Sequence, residues 1–268
     1  MNKKQIRRVV KGYYHELKLY YQQLLPGYGV TSIHQFRVNY KKLRAFLRMT
    51  MSREAAPAQM PVTKQLKATY RLCGSIRDLQ LHRRQLQNAY RGQQRPPGTY
   101  LLHLKQQTAL LKKELRAGFA ETIIAADVKK TMRSLPDSFS KKQFHRYVKQ
   151  QQDAVRQLVN LGKFTDTNIH QIRKLLKDLY YNINATDAAG IAAKKEKLPA
   201  EISQNSFNSL LDELGEFQDL ATEIRLLNAF HLKGLPATEK KGLERLRDIC
   251  VVQKNQLKRN LVGQLKCI

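Results

Sequence analysis

"SIHQFRVNYKKLRAFLRM", residues 32–49, decides the reading of this chain because it occurs twice. Its echo is "NIHQIRKLLKDLYYNI" at 168–183, where His34 corresponds to His170, Arg37 to Arg173 and Lys41 to Lys177 at one separation, 170 − 34 = 136. A second matching pair follows, "LCGSIRDLQ" at 72–80 and "ELGEFQDLA" at 213–221, with Gly74 matching Gly215 and Asp78 matching Asp219 at 219 − 78 = 141. Two motifs in the same order, twice, identify a tandem duplication, and a repeat of this kind sets the organisation before any local structure is assigned. The expectation is a single domain over residues 1–268, made of two repeats of about 1–135 and 137–268 joined around "RSLPDSFS" at 133–140.

Proline divides the chain further, because it interrupts helices and favours their ends. Pro26, Pro57, Pro61, Pro96, Pro97, Pro136, Pro199 and Pro236 all fall between stretches of helical period. Reading between them predicts helices near 2–25, 31–52, 62–91, 99–119, 139–161, 167–185, 201–232 and 237–265, with a shorter piece near 126–134. Strand-like alternation is essentially absent, so the class is all-α. Each repeat then supplies one antiparallel four-helix bundle. Similar halves that share a partner face each other across a pseudo-twofold axis, which brings the two histidine helices to corresponding positions around one basic groove. The segment "TDAAGIAAKKEKLP" at 186–199 either covers that groove or hangs free of it.

Helical angles explain the opening stretch. At about 100° per residue, Arg37, Lys41, Arg44 and Arg48 all fall within roughly 80° of His34. Ile33, Phe36, Tyr40, Leu43 and Leu47 fill the adjoining sector, so the cations border the buried face instead of opposing it. Such a stripe lines a groove. The second copy keeps His170, Arg173 and Lys177 beside Ile169, Ile172, Leu176, Leu179 and Ile183, with Lys174 at the edge of the stripe. Weaker stripes run through Arg8, Lys11, His15 and Lys18 on the first helix and through Arg146, Lys149 and Arg156 on the sixth. For these two helices an ordinary amphipathic helix with a solvated charged face reads equally well. The histidine helices differ, because a solvated face has no need of the same His, Arg and Lys at the same positions in both halves.

The whole chain is cationic. There are 49 Lys and Arg against 21 Asp and Glu, a formal charge of +28, over a composition whose 42% hydrophobic residues suffice for a substantial core. So basic a protein points to a polyanionic partner: nucleic acid, an anionic membrane surface or another phosphate polymer. No apolar run approaches the roughly 18 residues of a membrane span. The three cysteines, Cys73, Cys250 and Cys267, encode neither a disulfide framework nor a thiolate metal site, which suits the cytoplasm. Arginine offers a fork of donors to phosphate oxygens, lysine a mobile point charge, and histidine a donor that responds to nearby phosphate.

H-x-x-R with basic residues one and two turns on, then G-x-x-x-D after the next helix start, twice in a helical chain, resembles the CHAD family, the conserved histidine α-helical domain. The residues that carry the resemblance are "IHQFRVNYKKLR" with "CGSIRDLQ", and "IHQIRKLLKDLY" with "LGEFQDLA". The resemblance implies two helical bundles around a central basic groove and binding of inorganic polyphosphate, the linear phosphate polymer, without catalysis. Carried over by position, it assigns phosphate contact to His34, Arg37, Lys41, Arg44, His170, Arg173 and Lys177, with Arg71 and Arg77 on the following helix. The second repeat departs from the pattern: Gln218 stands where the first has Arg77, and Asp178 interrupts the basic run while projecting away from the stripe. It is expected to bind more weakly than the first.

An enzyme is not expected. Asp78 and Asp219 read more simply as helix N-caps, or as partners holding an arginine, than as metal ligands or bases. The E-x-E-x-K motif of a tunnel triphosphatase, a phosphate-binding G-x-x-x-x-G-K-[ST] loop, metal-ligand histidine spacing and a nucleophile elbow are all missing. Neither a metal nor a cofactor is expected. Two other readings stay open: a general RNA- or DNA-binding protein, and a protein that uses the same basic site for recruitment to polyphosphate granules. Base recognition wants aromatics exposed in the groove, whereas most tyrosines here lie in the apolar sectors, Tyr180 being the exception.

Overall fold

A computed structural model describes residues 1–24, 27–51, 61–91, 96–118, 120, 122–188, 204–228 and 232–267. Along these run α1 (Lys3–Gln22), α2 (Val30–Met51), α3 (Lys64–Ala89), α4 (Gly98–Ala117), α5 (Thr122–Ser134), α6 (Lys141–Asn160), α7 (Asp166–Ala188), α8 (Gln204–Leu226) and α9 (Ala237–Lys266). The class is all-α, and among the described residues the sole β feature is one antiparallel bridge between Asn2 and Ser138. The short piece expected near 126–134 starts earlier, at Thr122. The helix expected over 201–232 stops at Leu226, whose carbonyl accepts a hydrogen bond from Tyr100 Oη at 2.9 Å. Most of the connection at 186–199 lies outside the described residues.

Corresponding helices start alike. Asn2 with Gln5 on α1 and Ser140 with Gln143 on α6 form the same reciprocal capping box, which satisfies two of the orphan donors at each helix start. The two starts are joined: the Met1 ammonium donates to the Phe139 carbonyl at 2.5 Å, and Phe139 N–H donates back to Met1 at 2.8 Å. The beginnings of the two repeats are therefore pinned together by main-chain bonds.

The apolar sectors of α2 and α7 are buried as their angles require. Ile33, Phe36, Leu43 and Leu47 are fully buried, and so are Ile169 and Ile172. The core does not separate cleanly by repeat. One cluster joins α1, α2, α3 and α5 to Phe144, Tyr147, Leu179 and Ile183 of the second repeat. Another holds α7 against α8 and the end of α9 through Ile172, Phe207, Phe217 and Leu261. A third unites the repeats at their far end, through Leu86, Tyr100, Leu227 and Leu243. Cores shared in this way fix the angle between the repeats, and with it the shape of whatever lies between them.

Buried polar groups reinforce the joins. Asn182 donates to the Ala45 carbonyl at 3.1 Å and to Tyr147 Oη at 2.8 Å, tying α7 to α2 and α6. At the far end His82 Nδ1 lies 2.7 Å from Glu223 Oε2, both side chains buried, and Nε2 is 2.9 Å from Tyr100 Oη. These two residues correspond between the repeats, 223 − 82 = 141, so α3 and α8 meet through equivalent positions.

In the first repeat the fully buried Asp127 carboxylate accepts from Tyr14 Oη and from Thr63 N–H, both at 2.5 Å, which locks α5 to α1 and to the start of α3. Replacing Asp127 with Ala leaves the half-buried Thr63 N–H without its acceptor and Tyr14 Oη with Thr131 Oγ1 alone, and the expected loss is about 1–3 kcal/mol. Urea unfolding followed by helical circular dichroism measures it. A loss under about 0.5 kcal/mol would show that the carboxylate is not what joins these helices.

Candidate functional site

The α2 and α7 helices lie side by side, with α3 against α2 and α8 against α7. The arginine of H-x-x-R and the glycine of G-x-x-x-D turn out to be one device. Arg37 lies across α3, its guanidinium 4.8 Å from the centre of the Tyr70 ring and its Nη1 donating to the Tyr70 carbonyl at 3.2 Å. A Cβ added at Gly74 would overlap that same Nη1. At Gly215 an added Cβ would come within 3.6 Å of Arg173 Nη2, an ordinary contact, so the equivalent approach in the second repeat is looser. The bare glycine backbone is what lets the arginine lie down on the next helix.

Aromatic rings serve as platforms beneath the cations. Tyr40 and Tyr70 stack with centroids 4.3 Å apart. Arg37 covers the Tyr70 ring, Arg44 lies 5.7 Å from the Tyr40 ring, and on α7 Lys177 lies 5.6 Å from the Tyr180 ring. Tyr40 is buried and Tyr70 and Tyr180 are half-buried. These rings present their faces to the protein's own cations.

Lys41 sits at the junction of the repeats. Burial first, then the charges of Arg37 on its own helix and of Arg173 and Lys177 on α7, pull its ammonium down to about 8, against which Asp78 acts in the other direction. His34 is held below its ordinary value by burial and by Arg77, Lys41 and Arg37. His170 is lowered by burial and by Lys174, Arg173 and Lys41, while a 2.5 Å contact between its Nδ1 and Gln218 Oε1 favours its protonated form. Lys177 is lowered by burial and by Arg173, and Asp212 opposes this. The groups that fix the charge of these residues thus come from α2, α3, α7 and α8 together.

Two carboxylates stand among the cations. Asp78 and Asp219 are each raised above the usual range, chiefly by burial; Arg37 leads the charges that oppose this at Asp78, and Arg173 leads them at Asp219. Arg225 Nη2 also approaches Asp78 at 3.6 Å. Both residues lie inside their helices, well past the first turn, which removes the N-cap reading and leaves that of arginine partners. The pairing of Asp78 with Arg225 carried no sequence signal, because it crosses from one repeat to the other. Among the described residues no group of His, Cys, Asp and Glu is arranged to hold a metal ion.

The remaining expected residues are placed differently. Arg77 is half-buried on α3, and its Nη1, like Arg173 Nε, is a buried donor with no acceptor among the described residues. Arg71 is exposed on α3, close enough to Tyr40 to act on its hydroxyl. Lys174 is exposed, its Nζ 3.3 Å from Gln171 Oε1. Asp178 does leave the stripe of its own helix, but toward α2, where it pairs with Arg48 at 2.5 Å and commits that arginine to joining the helices. Arg8, Lys11, His15 and Lys18 lie exposed on α1, and Arg146 and Lys149 lie exposed on α6. Beside α7 and α8 opens a cleft of about 540 Å³, walled by Arg173, Lys177, Asp212, Glu216 and Asp219.

Known proteins share this fold. The CHAD domain family matches residues 11–228, most of the chain. The crystal structure of the CHAD domain from the plant Ricinus communis superposes with a TM-score of 0.69 over 100% of this chain and 92% of its own, at 13% identity. PptA from Streptomyces chartreusis does so with a TM-score of 0.69 over 98% of both chains, also at 13% identity. At such identity the likeness is one of fold. No curated protein matches the chain. With the family match spanning both copies of the histidine and glycine motifs, the chain belongs to the CHAD domain family.

Proposed function

We propose that the protein binds inorganic polyphosphate, without turning it over, in the groove where α2 and α7 meet between α3 and α8. His34, Arg37, Lys41, Arg44, Arg77, His170, Arg173 and Lys177 supply the contacts, with Arg71 and Lys174 at the margin. The observation that carries the reading is the place of Lys41: a half-buried ammonium, held down to about 8 by burial first and then by Arg37, Arg173 and Lys177, three cations drawn from both repeats. Concentrating like charge at one place costs free energy in the free protein, and an anion with charge spread along its length relieves it at several of these positions together. The resemblance to CHAD proteins supports the same ligand. The spare donors on Arg77 and Arg173 suit phosphate oxygens.

A nucleic acid would satisfy the cations but not the rest of the site. Sequence-tolerant binding of single strands relies on aromatic faces open to bases. Here Arg37, Arg44 and Lys177 occupy the faces of Tyr70, Tyr40 and Tyr180. A phosphate chain without bases fits better. Binding and positioning need no general base or bound metal; Asp78 is paired with Arg225, and Arg173 leads the charges that act on Asp219.

Labelled long-chain polyphosphate bound at physiological salt is expected to resist displacement by single-stranded RNA and duplex DNA at matched phosphate concentration. Equal displacement would move the function to nucleic acid. Arg37→Glu with Arg173→Glu should abolish polyphosphate binding while helical circular dichroism stays unchanged. Lys129 and Lys130, exposed on α5, should matter little beyond a slightly shallower salt dependence when changed to Gln. Equal losses there would show that diffuse charge, not the groove, holds the ligand.

The pH dependence follows from Lys41. Bound phosphate raises its pKa above the free value of about 8. Below that pH the ammonium is charged in both states and the contribution of Lys41 to affinity is at its full value. As pH rises from there toward the bound-state value, affinity falls by up to ~10-fold per pH unit, with proton uptake on binding. Calorimetry in buffers of different ionisation enthalpy reads the uptake directly. Lys41→Arg keeps its charge and should flatten the fall; an unchanged profile in that variant would place the titrating group elsewhere.

A further inference from the structure

The walls of the groove are not equivalent. At corresponding positions 141 residues apart, Lys67 of α3 becomes Asn208 of α8, Arg71 becomes Asp212, Ser75 becomes Glu216 and Arg77 becomes Gln218. At these four positions α3 carries three cations and α8 two carboxylates, while Arg225 of α8 is turned to Asp78 of α3. These differences lie on the working surface. Asp212 and Glu216 are exposed and face Arg173 and Lys177 across the 540 Å³ cleft, with Asp219 beside them. Asp212 also acts on the charge of Lys177, the counterpart of Lys41. In the first repeat, by contrast, Arg77 acts on His34 from the α3 side, adding positive charge instead of offsetting it.

We infer that the groove is one-sided: a phosphate chain lies along the α2–α3 wall and across Lys41 to Arg173, and Asp212 and Glu216 of α8 turn it away from the α7–α8 cleft. This rests on the reading of the protein as a polyphosphate binder and specifies which part of the site the polymer occupies. The physical reason is that charge of either sign in a confined cleft acts more strongly than on an open surface. A phosphate entering between α7 and α8 would gain Arg173 and Lys177, but would meet two carboxylates where the α3 wall offers arginine and serine. The two residues therefore set both the path of the chain and the number of phosphates the protein neutralises.

The test restores to α8 the residues that α3 carries. Asp212→Arg with Glu216→Ser should bind long-chain polyphosphate about 10-fold tighter at fixed salt, and the slope of log affinity against log salt should steepen by about 1–2, because the cleft now takes further phosphates. Asp212→Asn with Glu216→Gln should fall between this variant and the wild type. The control makes the same change of charge elsewhere, Asp248→Arg on α9 with Glu114→Ser on α4, both exposed, and should leave the slope near that of the wild type. If the groove variant gains no more affinity and no more slope than the control, the chain already fills both halves and the inference is overturned while polyphosphate binding stands. If the wild type fails to bind polyphosphate at all, the functional reading itself is wrong and this inference goes with it.

Discussion

Everything about this protein follows from the decision to lay two cationic helices side by side. Two unit charges about 5 Å apart at an effective dielectric near 20 repel by about 3 kcal/mol. A whole domain is stable by only about 5–15 kcal/mol, so a few such pairs would suffice to drive α2 and α7 apart. What holds them is beneath and beside the charges. Leu43, Leu47, Leu179 and Ile183 form apolar ground under both helices. Asn182 bonds across to the Ala45 carbonyl, and the Arg48–Asp178 pair turns one repulsive position into an attractive one. The remaining stripe stays crowded, and that crowding is the property a polyanion can use.

The same logic explains why the two motifs travel together. A guanidinium pointing freely into the groove would keep its rotamer freedom and move away from its neighbours. Arg37 cannot, because the glycine at position 74 lets it lie against α3, where the Tyr70 carbonyl and ring hold it. The arginine is pre-organised at the expense of its freedom before any ligand arrives, which lowers the ordering cost of binding. In the second repeat the fit over Gly215 is looser, and Gln218 takes hold of His170 where the first repeat has Arg77 instead. The first repeat thus holds its arginine more closely and is the more basic half.

Much of this was legible in the chain. Helical angles placed Ile33, Phe36, Leu43 and Leu47 in the core and His34, Arg37 and Lys41 on its border, because periodicity reports directly which side of a helix loses water. The duplication was legible because identical residues recur at one offset within each motif, 136 in the histidine motif and 141 in the glycine motif. Contacts between the repeats were not. Asp178 seen on a helical wheel leaves the basic stripe, and only the neighbouring helix gives it Arg48 as a partner. Arg225 reaching Asp78, and His82 meeting Glu223, join residues more than a hundred positions apart and depend on the angle between the repeats. Helix ends were blurred for a similar reason: α8 stops where Tyr100, on a helix of the other repeat, takes the Leu226 carbonyl.

A duplicated protein whose halves face each other meets a particular difficulty, since a residue close to the junction is brought near its own copy. An apolar residue gains from this, as Leu86 and Leu227 do, both fully buried at corresponding positions. A charged residue does not, and two outcomes are visible here. At one level the pair has diverged to His82 and Glu223, which turns a clash of like groups into a buried contact of complementary ones. One helical turn away Asp78 and Asp219 have stayed alike, and Asp78 acts against the ionisation of Asp219. The charges that favour their ionised forms come from several helices: Arg37, Arg225, Lys41 and Arg77 at Asp78, and Arg173, Arg77 and Lys41 at Asp219. The acidic pair and the basic groove are therefore one structure: Arg37, Lys41, Arg77 and Arg173 favour the ionised aspartates, and because the cations outnumber the carboxylates the junction between the repeats stays net positive.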